Sequence, residues 1–298
     1  MKKPLLYGIA GSFFFAFTFL LNRSMNLSGG HWLFSASLRY LFTLPMIALP
    51  LLKDHQYRLV HEEIRKNPFD WILWSMVGFA LFYVPMSFAS ARGESWLIAA
   101  TWQLTIVAGV LLTPLFGKKI PLRNLGMSLI ILLGVGLLQF RGGAVFHMRE
   151  QGFVLLPIIL GAVAYPLGNR KMMDLCKGRL STLQRIYGMT LCSTPVWIVL
   201  AGIAWATSGP PSFGQIAQCI LVALLSGVFA TVLFFKATDL VKGHPQRLAL
   251  VEATQSGEVV FTFLGGVLLL GDGMPGAVGF VGIVLILIGM VLSSLVTS

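Results

Sequence analysis

Residues 71–91 read WILWSMVGFALFYVPMSFASA, 21 positions from Trp71 to Ala91 without one charged side chain. Wound as a helix rising about 1.5 Å per residue, such a stretch crosses the roughly 30 Å hydrocarbon layer of a bilayer. It lacks the strict alternation of a half-buried strand. Nine further apolar stretches flank it. Leu5–Asn22, His31–Leu52, Ser95–Phe116 and Leu125–Phe140 complete the first half of the chain. Gly152–Gly168, Leu183–Ala206, Phe213–Ala237, Leu248–Leu270 and Pro275–Val296 make up the second. Helices satisfy their own backbone polar groups in lipid, and a β-barrel would need the alternation that is missing here. The expected fold is all-α: a polytopic membrane protein of ten transmembrane helices.

Composition points the same way. Of 298 residues, 56% are hydrophobic and 11% charged, with a mean hydropathy of +0.81. Soluble domains carry about 25% charged residues, so this chain has too few to coat a water-facing surface. The net charge of +11 does not indicate nucleic acid, because the cations sit in short loops and at span ends and no recognition motif accompanies them. Cys176, Cys192 and Cys219 form no CxxC or Cys/His spacing and read as apolar packing residues. His55 and His61 are interleaved with charges of both signs, so they too read as a solvated loop rather than a metal site. No phosphate-binding GxxxxGK[ST] loop occurs, and no cofactor is indicated. The first apolar stretch follows only Lys2 and Lys3 and has no small-residue cleavage site, so it reads as a retained helix.

The cations orient the bundle. With the N-terminus inside, the inner loops and span ends receive Lys2, Lys3, Lys53, Arg58, Arg65, Lys66, Lys118, Lys119 and Arg123 from the first half. From the second they receive Arg170, Lys171, Lys177, Arg179, Arg185, Lys236, Lys242 and Arg247. Arg23, Arg92, Arg141 and Arg149 fall outside, and Arg39 lies within a span. Seventeen cations inside against four outside predict a bacterial inner (cytoplasmic) membrane protein with both termini in the cytoplasm. The long connection Lys53–Asp70 reads as a cytoplasmic loop with room for a short surface helix.

The halves echo one another. FLLNRSM (Phe19–Met25) aligns with PLGNRKM (Pro166–Met172) at an offset of 147 residues, and TLP at Thr43 with STP at Ser193 at 150. TWQ at Thr101 aligns with ATQ at Ala253 at 152, and ILLG at Ile131 with ILIG at Ile286 at 155. Slowly growing offsets are what duplication followed by small loop insertions leaves behind. The expected domains are a first five-helix repeat, 1–145, and a second, 146–298. Five is odd, so the second repeat would insert upside-down, the arrangement of many secondary transporters.

This symmetry places Asn22-Arg23 at the outer end of the first helix and Asn169-Arg170 at the inner end of the sixth. They read as helix-end gate elements, with Glu94 or Glu150 as outer partner and Glu252 or Asp239 as inner. Charges at mid-depth are costly, about 2.5–3.5 kcal/mol on insertion scales. Arg39 and Glu258 both fall near mid-span and could pair directly or through a solute. Glu252, Gln255 and Glu258 recur every three residues on the ninth span, and Thr101 and Gln103 supply similar groups on the fourth. Trp102 and Tyr165, beside the repeat motifs, are candidate pocket aromatics. Arg39, Trp102, Gln103, Tyr165, Gln255 and Glu258 are therefore the expected solute-binding residues, with Glu258 and Glu252 as candidates for proton coupling. Gly126, Gly134, Gly136, Gly276, Gly279, Gly282 and Gly289 permit close helix contact, within the chain or between two copies of it.

Together these features resemble the drug/metabolite transporter superfamily, ten-helix EamA-like type, over essentially the whole chain. TFLLNRSM (Thr18–Met25), SASLRY (Ser35–Tyr40), TWQLTIVAG (Thr101–Gly109), AYPLGNRKMM (Ala164–Met173) and VEATQSGEVVF (Val251–Phe261) are similar to its multidrug resistance efflux branch. The resemblance implies a central cavity, alternating access and export of small organic solutes or drugs, with no enzyme chemistry. The implied partners are the solute, membrane lipid and protons, the protein acting as a monomer or homodimer. Four-helix members of the superfamily carry a coupling carboxylate in their first helix; here that span has no acidic residue, so proton antiport would need Glu258 or Glu252. A metabolite or amino-acid carrier working in the uptake direction, and a lipid-handling protein, are the alternatives.

Overall fold

The computed structural model describes residues 2–117, 119–120, 122–138, 148–241, 251 and 254–296. Helices make up the fold, and no strand occurs among the described residues. Among the described residues, six helices are long and apolar enough to cross a membrane. They are α1 (Lys2–Leu27), α2 (Trp32–Leu52), α4 (Pro68–Ser90), α7 (Met148–Cys176), α8 (Thr182–Ser208) and α9 (Phe213–Thr238). Four apolar helices are shorter: α5 (Ser95–Leu111), α6 (Leu122–Leu138), α10 (Thr254–Leu270) and α11 (Ala277–Val296). Leu49, Leu133, Leu156, Leu268 and Leu269 project outward and are more than half exposed, whereas Ser12, Ser37, Ser75 and Ser193 are buried among the helices. Large aliphatics outside and small hydroxyls between helices are the pattern lipid selects, since helices there gain from close packing rather than from hiding apolar surface.

The long connection forms its own helix, α3 (Tyr57–Lys66), whose apolar side packs inward through the fully buried Val60. Glu63 is buried on the same helix. It accepts hydrogen bonds from Arg179 Nη2 at 2.6 Å and Nε at 3.1 Å, and from Lys66 Nζ at 2.9 Å. His61 Nε2 lies 3.1 Å from the Tyr187 hydroxyl, with the two rings stacked. These contacts bind α3 to the α7–α8 connection through Arg179 and to α8 itself through Tyr187. The hydrogen bonds from Lys66 and Arg179 hold the Glu63 carboxyl below the ordinary carboxylate range. Because its folded value is depressed, Glu63 contributes stability above the unfolded value, near 4.3, and loses it as the pH falls through the folded one. Glu63→Gln is expected to cost about 1–2 kcal/mol at neutral pH and to flatten the acid limb of the stability curve, readable as thermal melts between pH 3 and 7.

Glycines set a close helix contact, α6 against α11. A Cβ at Gly134 would meet Gly282 O at 2.6 Å and Ile286 at 2.8 Å; a Cβ at Gly289 would meet Ile131 at 2.7 Å and Met127 O at 3.3 Å. The contact is reciprocal and antiparallel, since residues 127 to 134 climb α6 while their partners descend α11 from 289 to 282. Gly126, Gly136 and Gly276 have nothing within 4 Å, so of the glycines named from sequence it is Gly134, Gly282 and Gly289 that join α6 to α11. Gly134→Leu is expected to prise the two helices apart, costing about 3 kcal/mol or more as an overpacking change and lowering the melting temperature of the purified protein by several degrees.

Candidate functional site

Two of the shorter helices are broken, and the breaks define the site. α5 is interrupted at Gln103, between Ser95–Trp102 and Leu104–Leu111. α10 opens with a 3₁₀ turn at Thr254–Ser256 before Gly257–Leu270 begins. Backbone groups freed in an apolar medium must find partners, and they do. Gln103 N donates to Ala100 O at 3.2 Å, and Gln103 Nε2 to Ala99 O at 3.0 Å. Ser12 Oγ of α1 donates to Thr254 O, and Thr254 Oγ1 donates to Val251 O at 2.6 Å. The sequence gives these stretches as continuous spans; α5 is interrupted at the glutamine of the TWQ motif, and the described part of α10 opens with the 3₁₀ turn that holds the glutamine of the ATQ motif. π-helical turns in α4 (Met76–Ala80) and α9 (Ala223–Ala230) bring Phe79, Ser226 and Gly227 to the same place. Such turns recur at functional sites.

Between these elements lies a cavity of about 430 Å³. All six residues named from sequence as solute contacts line it: Arg39, Trp102, Gln103, Tyr165, Gln255 and Glu258. The aromatic wall is built from Phe82, whose ring centroid lies 4.9 Å from both Trp102 and Tyr165. Behind it, Tyr40 stacks on Trp197 at 4.3 Å with rings 2° apart. Glu258 sits in the first turn of Gly257–Leu270, where the helix N-terminus favours a negative charge. Arg39 and Glu258 form no direct ion pair. Arg39 Nη2 donates instead to Ser226 Oγ at 3.2 Å, and its guanidinium carbon lies 4.2 Å above the centroid of Tyr83. Thr18, Thr43, Thr190, Ser226 and Arg185 also face the cavity; isolated hydroxyls in apolar runs give no sequence signal, and the π turn that presents Ser226 gives none either.

The two Asn-Arg pairs sit differently from their expected helix-end positions. Neither pair ends its helix: α1 runs on to Leu27 and α7 to Cys176, because the residues after each arginine continue the helical apolar pattern. Asn22 is buried and donates to the Tyr83 hydroxyl at 3.0 Å. The carboxylate that meets Arg23 is Asp272, at 3.3 Å, rather than Glu94. Asp272 is fully buried through its side chain and also accepts from Ser95 N at 2.7 Å and from Ser95 Oγ. Trp96 Nε1 adds a bond to Gly273 O at 2.9 Å. Asn169 lines the cavity and donates back to Tyr165 O at 3.0 Å. Arg170 Nη1 donates to Gly109 O at 2.6 Å. Glu252 lies outside the described residues, as do the side chains of Glu150 and Asp239. The cavity extends from the two glutamines toward Asn169, Met173, Thr182 and Arg185, where α7 meets α8. The Arg23–Asp272–Ser95 cluster ties α1, α5 and the α10–α11 connection together at the opposite end.

Helices long and apolar enough to cross a membrane, packed around a polar cavity, define a multi-pass membrane protein. More particularly, the chain belongs to the EmrE family, described as "Putative multidrug resistance efflux transporter", which matches it over residues 2–298. It is 49% identical over 303 residues to the uncharacterized protein YjlA of Bacillus subtilis (strain 168), covering 97% of this chain and 94% of that one. A second relative, an uncharacterized 42.1 kDa protein of Shouchella clausii encoded in the intracellular alkaline protease 3' region, is 46% identical over 268 residues, 87% of this chain and 70% of its own length. A crystal structure sharing 15% identity superposes over 100% of this chain and 98% of its own, with a TM-score of 0.65. That likeness shows the fold alone.

Proposed function

We propose that this protein is a secondary active transporter that exports small organic solutes by alternating access, with Glu258 carrying the coupling proton. The observation that carries the reading is the cavity at two helix breaks in corresponding positions of the two halves, Gln103 and Gln255. Paired breaks of this kind mark midplane sites in transporters built from inverted repeats.

Ten crossings, divided into an inverted pair of five-helix units, underlie the proposal. Mapping α1, α2, α4, α5 and α6 onto α7, α8, α9, α10 and α11 turns several principal contacts into one another, though α5 with α6 has no equally extensive image in α10 with α11. α4 packs on α7 as α9 does on α1; α5 packs on α7 as α10 does on α1; α4 packs on α8 as α9 does on α2. α2 with α8, α5 with α10 and α6 with α11 map onto themselves. The reciprocal, antiparallel glycine contact of α6 and α11 supports a two-fold axis lying across the helices, which is the inverted case. Gly117 and Gly271, both left-handed at φ +68° and +66° after corresponding helices, fit the same scheme.

In the cytoplasmic membrane with both termini inside, as the cation distribution favours, the cavity of this conformation faces the cytoplasm. The Arg23–Asp272–Ser95 cluster is then the closed outer gate, and Asn169-Arg170 marks the inner mouth. Proteoliposomes test the function directly. Solute flux should require the protein and should rise with an opposing pH gradient. Equal flux with and without the gradient would leave a facilitator, and labelling of cysteines placed at 23 and 170 from the same side of the membrane would end the inverted-repeat reading.

A further inference from the structure

The charges inside the cavity do not balance. Arg39 and Arg185 face it, and among the described lining residues Glu258 is the one carboxylate. Neither arginine has an ion-pair partner among the described residues, and each keeps a buried nitrogen with no hydrogen bond. Arg39 is the one that lies at mid-span beside hydroxyls facing the cavity. One of its terminal nitrogens, Nη1, is buried without any hydrogen-bond acceptor, while Nη2 reaches only the neutral Ser226 hydroxyl. A guanidinium presents a planar fork of N–H donors that matches a carboxylate, and a buried charged donor left open favours whatever ligand completes it. Arg39 itself sits over Tyr83, and Asn22 fixes the phenol from behind. An organic cation entering here meets two fixed positive charges, Arg39 and Arg185, against the one carboxylate of Glu258 among the described lining residues.

We propose that Arg39, with the Thr18 and Ser226 hydroxyls that are hydrogen-bonded to each other, forms a carboxylate-binding subsite. The transported solute is thus a small organic carboxylate rather than a lipophilic cation. Its apolar body rests on the wall of Phe82, Trp102 and Tyr165. Whether its other end is neutral or an ammonium group is decided by Glu258 and Gln255. The subsite rests on the carrier reading for its role, though not for its existence.

The test uses the full-length protein in detergent with three probes of similar apolar bulk: phenylacetate, phenylalanine and tetraphenylphosphonium. Thermal shift and calorimetry should show that at least one carboxylate binds and that tetraphenylphosphonium does not. Arg39→Gln should weaken carboxylate binding at least about tenfold, the scale of a charge-assisted fork. Arg39→Lys, which keeps the charge and loses the fork, should recover part of it. Should Arg39→Gln fail to fold, Ser226→Ala, expected to weaken binding about fivefold, makes the same test. Phenylalanine binding without phenylacetate supports the zwitterionic form, and the reverse supports the simple acid. Preferential binding of tetraphenylphosphonium, carboxylate binding indifferent to these variants, or no binding of any probe overturns the subsite. Proteoliposome flux of the same probes separates the two claims. Arg39-dependent binding without flux keeps the subsite and removes the carrier; flux of tetraphenylphosphonium indifferent to Arg39 does the opposite.

Discussion

Glu258→Gln protein is expected to move solute at the same rate whether or not a pH gradient is imposed, while the wild type should concentrate solute against it. The amide keeps the size and hydrogen-bonding capacity of the protonated acid and cannot release a proton. Each pH unit across the membrane supplies about 1.4 kcal/mol per proton. A one-for-one exchanger should therefore build about a tenfold solute gradient per unit, and the variant none. Glu258 is the candidate because it faces the cavity at the start of the second half of α10, beside the break at Gln255. It is also unpaired with Arg39, so its proton is free to answer the side to which the cavity opens. The reading is checked by steady-state accumulation in proteoliposomes at two gradients, alongside a melting curve to show that the variant is folded. A gradient response that survives in Glu258→Gln would remove this residue from coupling.

Asp272→Ala should do the opposite kind of damage, changing which side is open rather than what drives the cycle. Asp272 is wholly buried through its side chain and satisfies Arg23 together with the backbone and hydroxyl of Ser95. Removing one member of a buried ion pair costs about 3–5 kcal/mol when the remaining charge is trapped. Arg23 keeps about a fifth of its exposure and can rehydrate, so the expected loss is about 2–3 kcal/mol, near the lower limit of that range. That is a shift of order 30- to 150-fold away from the outer-closed state. A cysteine placed at Thr18, in a background lacking Cys176, Cys192 and Cys219, should react with an impermeant thiol reagent from outside faster by a comparable factor. Arg23→Ala should give a similar increase, and the double variant little more than either alone. An unchanged labelling rate in Asp272→Ala would mean that the cluster anchors a helix end without gating.

Gly266 shows how tightly this cluster is built. A Cβ there would collide with Ser95 Oγ and lie 2.6 Å from Asp272 Oδ2, so the close approach of α10 to α5 and the ion pair depend on one another. At the other end Arg170 donates to a carbonyl of α5, Gly109 O.

Much of the molecule was legible before any coordinates. Apolar stretches such as Trp71–Ala91 select helices and lipid because backbone groups in hydrocarbon have only each other as partners. The repeated TWQ/ATQ motifs, and the mid-span charges Arg39 and Glu258, point to residues that meet in the cavity, since polar side chains in lipid are costly enough to be rare. What the chain could not disclose was which groups face each other. Asp272 lies some 250 positions from Arg23, and the contact exists only because α1, α5 and the α10–α11 connection converge. The helix breaks at Gln103 and Gln255 are equally hidden. Local propensity favours continuing both helices, and the break is held by a tertiary partner, the Ser12 hydroxyl that takes up the freed carbonyl of Thr254. Hydrophobicity is a property of single residues and can be read along a line. The pairing of donors with acceptors across the bundle depends on distance, and distance is set only when the helices pack.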